Sequence, residues 1–285
     1  MSFLLMAAIM VAASDLPGWD FSDEASSNTW VANQDIRCAG LREGSLALDT
    51  TGPDPFLHNR GVAIPATPYQ YVWIRLAADR PGVGELFWSG LMEGEHGGLT
   101  GRKSTRFEVS GTGEWEDIIL FPFWHAEGTI RQLRLDLYAG AHFQLDAVRV
   151  ESWSAGPATD NNTMRWELGP GHASWLAHPA ARNLFAQPCR LDVGDCGWVN
   201  VRMRAEHDGR AGIIWAAEGE LGAFNQDFSV IGDGRMRTYH IELDGHPSWK
   251  TPVLSVGLRM PEDAGAVVES VSITSEPDGP GELLV

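Results

Sequence analysis

Two groups of residues in this 285-residue chain have the types and spacing to do chemistry. The first is an alternation of aromatic and polar side chains. Tyr71, Trp73 and Arg75 stand at every second position, and Trp198, Asn200 and Arg202 repeat the pattern. A flat aromatic ring stacks on the C–H face of a sugar, and an arginine donates to hydroxyls or to a carboxylate. Arg134 and Arg259 alternate with apolar neighbours in the same manner, and Trp88 closes a Leu-Phe-Trp run. Tyr71, Trp73, Arg75, Trp88 and Arg134 are therefore the candidate ligand-binding residues. The competing role for such a face is structural, with arginine laid over tryptophan and paired with an acid. The second group is carboxylate: Asp20 with Asp146, and Glu167 with Glu269. Oxygen ligands of this kind suit a hard cation such as calcium, and equally suit turn caps or arginine partners.

Signatures of catalysis are missing. There is no Gly-x-Ser-x-Gly elbow, no His-Glu-x-x-His pair and no phosphate-cradling Gly-rich loop with Lys. Nine histidines are scattered without ligand spacing. Glycoside hydrolysis needs two carboxylates flanking one bond. The nearest run of that kind is Glu114-Trp115-Glu116-Asp117, and its counterpart Arg235-Met236-Arg237-Thr238 carries no acid. It reads as a solvated turn and strand face, and the chain reads as a non-enzyme.

These residues need strands to position them. Val72, Ile74 and Leu76 alternate with the aromatic–polar set, the period of a strand with two different faces. Many such short runs are separated by Gly, Pro and Asp turns, and no long helical period follows the first residues. The runs also repeat. Tyr71 to Ala78 matches Trp198 to Ala205, Trp88 comes into register with Trp215, and Phe107-Glu108-Val109 matches Phe228-Ser229-Val230. Leu133-Arg134-Leu135 aligns with Leu258-Arg259-Met260, and the closing strands are Phe143 to Val150 and Val268 to Ile273. Each half opens with paired tryptophans, Trp19 and Trp30 or Trp166 and Trp175, and carries a loop tryptophan, Trp124 or Trp249, expected to plug a core. The expected fold is all-β: two tandem antiparallel β-sandwich (jelly-roll) domains, 15–153 and 164–275, joined by a linker at 154–163.

Composition agrees. The chain is 44% hydrophobic and 21% charged, with 32 Gly and 12 Trp, enough apolar material for two cores. A formal net charge of −17 opposes binding to nucleic acid, which rests on Lys and Arg neutralising phosphates. Residues 1–13 form a short apolar run ending Val11-Ala12-Ala13, too short to span a bilayer and suited to cleavage as a signal peptide. No membrane insertion is expected elsewhere. Of three cysteines, Cys189 and Cys196 are close enough in sequence to pair in an oxidising compartment, and all three equally suit small buried positions.

The Trp-Asp-Phe opening, the Gly52-Pro53-Asp54-Pro55 turn, the Leu-Phe-Trp strand, the loop Trp and the final Leu-Asp-x-Val strand resemble galactose-binding-like jelly rolls. Many of these are carbohydrate-binding modules of polysaccharide-degrading enzymes. The second half lacks the Gly-Pro-Asp-Pro turn and has Glu269 in place of Asp146. The resemblance implies a secreted or cell-surface, non-catalytic pair of modules whose partner is a polysaccharide or glycan. It implies structural calcium at Asp146 with Asp20, and more weakly at Glu167 with Glu269. The alternatives are spacer domains of a larger secreted enzyme, with 276–285 starting a linker or a further C-terminal domain, or a glycoside hydrolase or lyase.

Overall fold

A computed structural model describes residues 16–153, 164–168, 175–177, 183–250, 252–262 and 264–284. The expected leader at 1–13 and linker at 154–163 lie outside the described residues. The first half contains β1 (Gly18–Asp20), β2 (Val31–Ala32), β3 (Ile36–Arg42), β4 (Ser45–Thr50), β5 (Phe56–Pro65) and β6 (Gln70–Ala78). It continues with β7 (Gly82–Ser89), β8 (Ser104–Val109), β9 (Glu116–Leu120), β10 (Thr129–Asp136) and β11 (His142–Ser152). The second half contains β12 (Arg165–Glu167), β13 (Trp175–Ala177), β14 (Asn183–Ala186), β15 (Trp198–Arg204) and β16 (Gly209–Ala217). Then follow β17 (Phe224–Val230), β18 (Arg237–Glu242), β19 (Val253–Arg259), β20 (Val267–Thr274) and β21 (Glu282–Leu284).

The strands form two sandwiches. In the first domain the sheets run β3-β4-β11-β6-β9, with β1 also on β11, and β2-β5-β10-β7-β8. In the second they run β12-β20-β15-β18-β21 and β13-β14-β19-β16-β17. Reading across, β1, β2 and β5 to β11 of the first domain correspond in order to β12 to β20 of the second. The first domain adds the β3–β4 hairpin. The second adds β21, built from residues placed beyond the domain by the sequence, which pairs in parallel with β18.

Alternation decides what each sandwich buries. Val72, Ile74 and Leu76 of β6 face inward with Leu86 and Trp88 of β7 and Leu133 and Leu135 of β10, all nearly inaccessible. Val199, Val201, Met203, Ile213 and Trp215 do the same in the second domain. The tryptophans pack edge to face in matched pairs. Trp19 meets Trp30 at 5.3 Å and Trp166 meets Trp175 at 5.6 Å. Trp88 meets Trp124 at 6.0 Å and Trp215 meets Trp249 at 5.5 Å. Each such ring removes roughly 150–250 Å² from water, roughly 4–6 kcal/mol of transfer free energy before chain entropy is counted.

The ladder registers correct one alignment. Trp88 pairs with Leu133, and Trp215 pairs with Val256. Arg134 therefore corresponds to Gly257, and Arg259 stands where the first domain has Asp136. A slip of two residues keeps every side chain on its face, so alternation alone does not expose it.

The domains dock through an aromatic cluster. Phe121, Phe123 and Trp153 from the first domain meet Phe185 and Ala216 from the second. Trp153 stacks on Phe185 at 4.8 Å, with 21° between the planes. Three hydrogen bonds flank them: Tyr69 Oη to Cys189 O at 3.0 Å, His125 Nε2 to Ala217 O at 3.0 Å, and Gly222 N to Phe123 O at 3.2 Å. Cys189 and Cys196 are free thiols and do not pair. Cys189 is buried, donates to Leu254 O at 3.4 Å, and burial pushes its pKa up to about 12.

Candidate functional site

The expected site residues occupy three different places. Tyr71, Trp73 and Arg75 share the outer face of the β6 sheet, as alternation requires. Each has an internal partner there. Trp73 Nε1 donates to Asp117 at 3.1 Å, and the Arg149 guanidinium lies 4.9 Å from its ring centroid. Arg75 bridges Asp117 at 3.2 Å and Asp146 at 3.3 Å, and lies 5.6 Å from the Trp115 ring. The Tyr71 hydroxyl donates to Glu151, and its ring is 6.2 Å from Phe121 in the interdomain cluster. Burial, followed by the Glu151 hydrogen bond, raises the Tyr71 pKa well above the ordinary tyrosine value.

Trp88 is a core residue, 2% exposed. It is corrected from ligand platform to core plug: it sits on the inward parity of β7, one residue past Phe87. Arg134 lies on the other sheet, on the outer face of β10, so it shares no surface with Trp73.

The second domain does not present either face. Asn200, the counterpart of Trp73, is buried and donates to Thr274 Oγ1 at 2.7 Å while His240 Nδ1 donates to its Oδ1 at 2.6 Å. The segment leading into β21 crosses over it, with Asp278 N donating to Asn200 Oδ1 at 3.2 Å. On the opposite sheet, Phe185 takes the place of His58 and lies over Gly257, facing the first domain.

The face around Arg134 remains open in the first domain. Its guanidinium lies 3.8 Å from the Phe56 ring centroid and 5.7 Å from that of Phe87. Asp136 accepts from it at 2.6 Å and Asp54 at 3.1 Å, which fixes its plane. Burial comes first in raising the Asp136 pKa, and Arg134 opposes it. A row across the sheet runs Val31, His58, Arg134, Phe87 and Ser104. His58 donates to Gln132 at 2.8 Å, and Gln132 Nε2 donates to the carbonyls of Leu91 and Gly97, each at 2.5 Å. That bond pair folds the 90–99 loop over one side of the face. Leu91 and Met92 project from the loop into solvent.

Alongside lies a groove of about 800 Å³, lined by Phe56, His58, Arg60, Val31, Asn28 and Asn33 among others. It opens where β2 stops pairing with β5 and β5 itself bulges, its register to β10 shifting between Ile130 and Gln132. Sequence reasoning named Arg134 but missed Phe56, His58 and Arg60. Their signal was present as an alternation along β5, hidden because Asn59 faces inward, buried and donating to Thr29 Oγ1.

The remaining acids are already engaged. Asp20 accepts from Ser22 N at 2.9 Å, and hydrogen bonding to Ser22 lowers its pKa. Asp146 faces Arg75 and Glu269 faces Arg202, at 3.3 and 2.9 Å. Glu167 accepts from Arg165 at 2.8 Å. Among the described residues no group of three or more His, Cys, Asp or Glu side chains converges to hold a metal ion. Glu116 accepts from Ser110 Oγ at 2.8 Å and Asp117 is held by Trp73 and Arg75, which ties down the acid run weighed for hydrolysis.

No family model and no curated protein matches the chain. Among solved structures it is similar to the tandem CBM22-1–CBM22-2 domains of Xyn10C from Paenibacillus barcinonensis, at 12% identity and TM-score 0.36, over 95% of this chain and 100% of that one. It is similar to the C-terminal CBM6 of the marine laminarinase LamC from Zobellia galactanivorans, at 13% identity and TM-score 0.36, over 48% of this chain and 100% of that one. It is also similar to the glycoside hydrolase domain of Endo-D from Streptococcus pneumoniae, at 9% identity and TM-score 0.33, over 86% of this chain and 37% of that one.

Proposed function

We propose that this chain is a non-catalytic glycan-binding protein whose first domain presents the ligand face and whose second domain supports it. The observation that carries this reading is the Arg134 guanidinium held between Phe56 and Phe87 on an open sheet face, beside a groove of about 800 Å³. Aromatic edges and faces offer apolar contact to sugar C–H groups, while Arg134 and Arg60 offer donors and the second ring nitrogen of His58 an acceptor for hydroxyls. The counterpart positions in the second domain, Gly257 and Phe185, are buried in domain docking, so one face serves the whole chain. The reading includes secretion or display at a cell surface, with the short apolar run at residues 1–13 as its sequence basis.

The test is a glycan array on the full chain, followed by titration of the selected glycan into Arg134→Ala and Phe56→Ala. Binding weaker by tenfold or more, with the melting temperature little changed, supports the face. Full affinity in both variants moves the ligand to another surface, and silence across plant, algal and bacterial glycans favours the spacer alternative. The fixed docking of the two domains is the observation on the spacer's side.

A further inference from the structure

Domain docking leaves a second cleft, of about 490 Å³, beside the aromatic cluster. One wall is the β8 edge of the first domain, with Arg102 and Arg106. The other is the outer face of the β14-β19-β16-β17 sheet, with Asn183, Asn225 and Arg259. The charged side chains of the lining are these three arginines, with no carboxylate among them, in a chain of net charge −17. Arg102 is exposed and has no partner among the described residues. Arg106 and Arg259 each pair with an acid on their own sheet face, Glu85 at 3.1 Å and Asp227. Such pairing orients a guanidinium without filling the cleft. Buried Trp88 reaches the wall, and its indole N–H has no hydrogen-bond partner. Glu85 and Asp227 offset the charges of Arg106 and Arg259 while orienting them, so Arg102 supplies the unbalanced positive charge of the cleft.

We propose that this interdomain cleft binds an acidic saccharide, a sugar bearing carboxylate or sulfate groups, through Arg102, Arg106 and Arg259. A planar guanidinium pairs with either oxyanion through two parallel hydrogen bonds. The Asn183 amide serves the neighbouring hydroxyls, and Asn225, whose Nδ2 donates to Asp227 Oδ1 at 3.0 Å, adds its amide oxygen as an acceptor. The arginines come from both domains, so the site exists only while the domains are docked. It uses none of Phe56, His58, Arg60, Phe87 and Arg134, although Arg106 lies on the same sheet face as Arg134, two strands away.

The experiment is calorimetric titration of the full chain with four probes: a galacturonate hexamer, a sulfated galactan hexamer, an uncharged galactan hexamer and a DNA hexanucleotide. One or both acidic saccharides bind, more weakly as salt is raised, and affinity falls at least tenfold in Arg102→Glu and in Arg259→Ala. Arg102 is exposed, so its substitution leaves folding intact, and circular dichroism verifies this. Arg37→Glu, a remote surface reversal, sets the background for a change in net charge. Binding of the galacturonate alone identifies the ligand as a uronate, and binding of the sulfated hexamer alone identifies it as a sulfate ester. The proposal is overturned by silence with both acidic saccharides, by equal affinity for the uncharged hexamer or the oligonucleotide, or by losses in Arg102→Glu no larger than in Arg37→Glu.

Discussion

The ring of Phe185 lies directly over Gly257, so close that a Cβ on that glycine would come within 2.5 Å of the ring. In the first domain the same two register positions hold His58 and Arg134. The same sheet face is thus a docking surface in one domain and an open face in the other. Gly257→Val should displace the ring and loosen the domains, because the overlap is with a packed aromatic and the neighbouring Leu184 carbonyl. Small-angle scattering should show a broader interdomain distance distribution, and calorimetry should resolve two transitions. Phe185→Ala should have the same effect at a cost of about 3–5 kcal/mol, the range for large aromatic truncations.

Asp146 and Glu269 occupy matched β-bulges, each skipped by the ladder to the neighbouring strand. Phe21 N and Leu168 N donate to their carbonyls at 2.8 and 2.7 Å. Backbone bonds hold the bulge, and the carboxylate answers an arginine that is half-exposed. Asp146→Ala and Glu269→Ala should each cost under about 1 kcal/mol, the usual worth of an exposed ion pair. Chelator should leave the melting temperature unchanged. A drop of several degrees on chelation, lost in Asp146→Ala, would instead show a bound cation, since an ion held by the folded state alone stabilises it.

The Trp73 face should behave as structure. Trp73→Ala removes the ring under Arg149 and leaves Asp117 without its indole donor, and should cost about 1–3 kcal/mol. Glycan affinity of the folded fraction should stay at the wild-type value. A loss of affinity at unchanged stability would move the ligand to this face.

Acid should weaken the molecule through two histidines. Burial holds the pKa of His125 below the ordinary value at the domain junction. Burial comes first for His58 too, with Arg60 and Arg134 adding repulsion. Both are lowered, so the folded state favours the neutral ring. Their contribution is complete above about pH 6.5, the unfolded value, and is lost as pH falls below it. Melting temperatures measured from pH 7.5 to pH 5 should decline, and His125→Gln should flatten part of the decline. Equal slopes in wild type and variant would remove His125 from the account.

Much of this protein follows from chain-local patterns. The alternation of Val72, Ile74 and Leu76 with Tyr71, Trp73 and Arg75 determines a two-faced strand, because successive side chains of a strand point to opposite sides. The repeat of Trp19 and Trp30 in Trp166 and Trp175 determines two similar sandwiches, since each pair fills the same corner of a core. Facing is thus a local property, and so is the existence of the Arg134 alternation.

Three matters were decided only by tertiary structure. Periodicity states that Arg134 and Trp73 both point outward, yet the sheet each strand joins is set by long-range pairing, and the two residues end on opposite sides of the sandwich. A slip of two residues preserves facing, so the counterpart of Arg134 emerged as Gly257 only from the ladder. An outward side chain is also not thereby exposed. Asn200 lies under the segment before β21 and Phe185 lies under the first domain, because what covers an outer face is another part of the chain, distant in sequence and close in space.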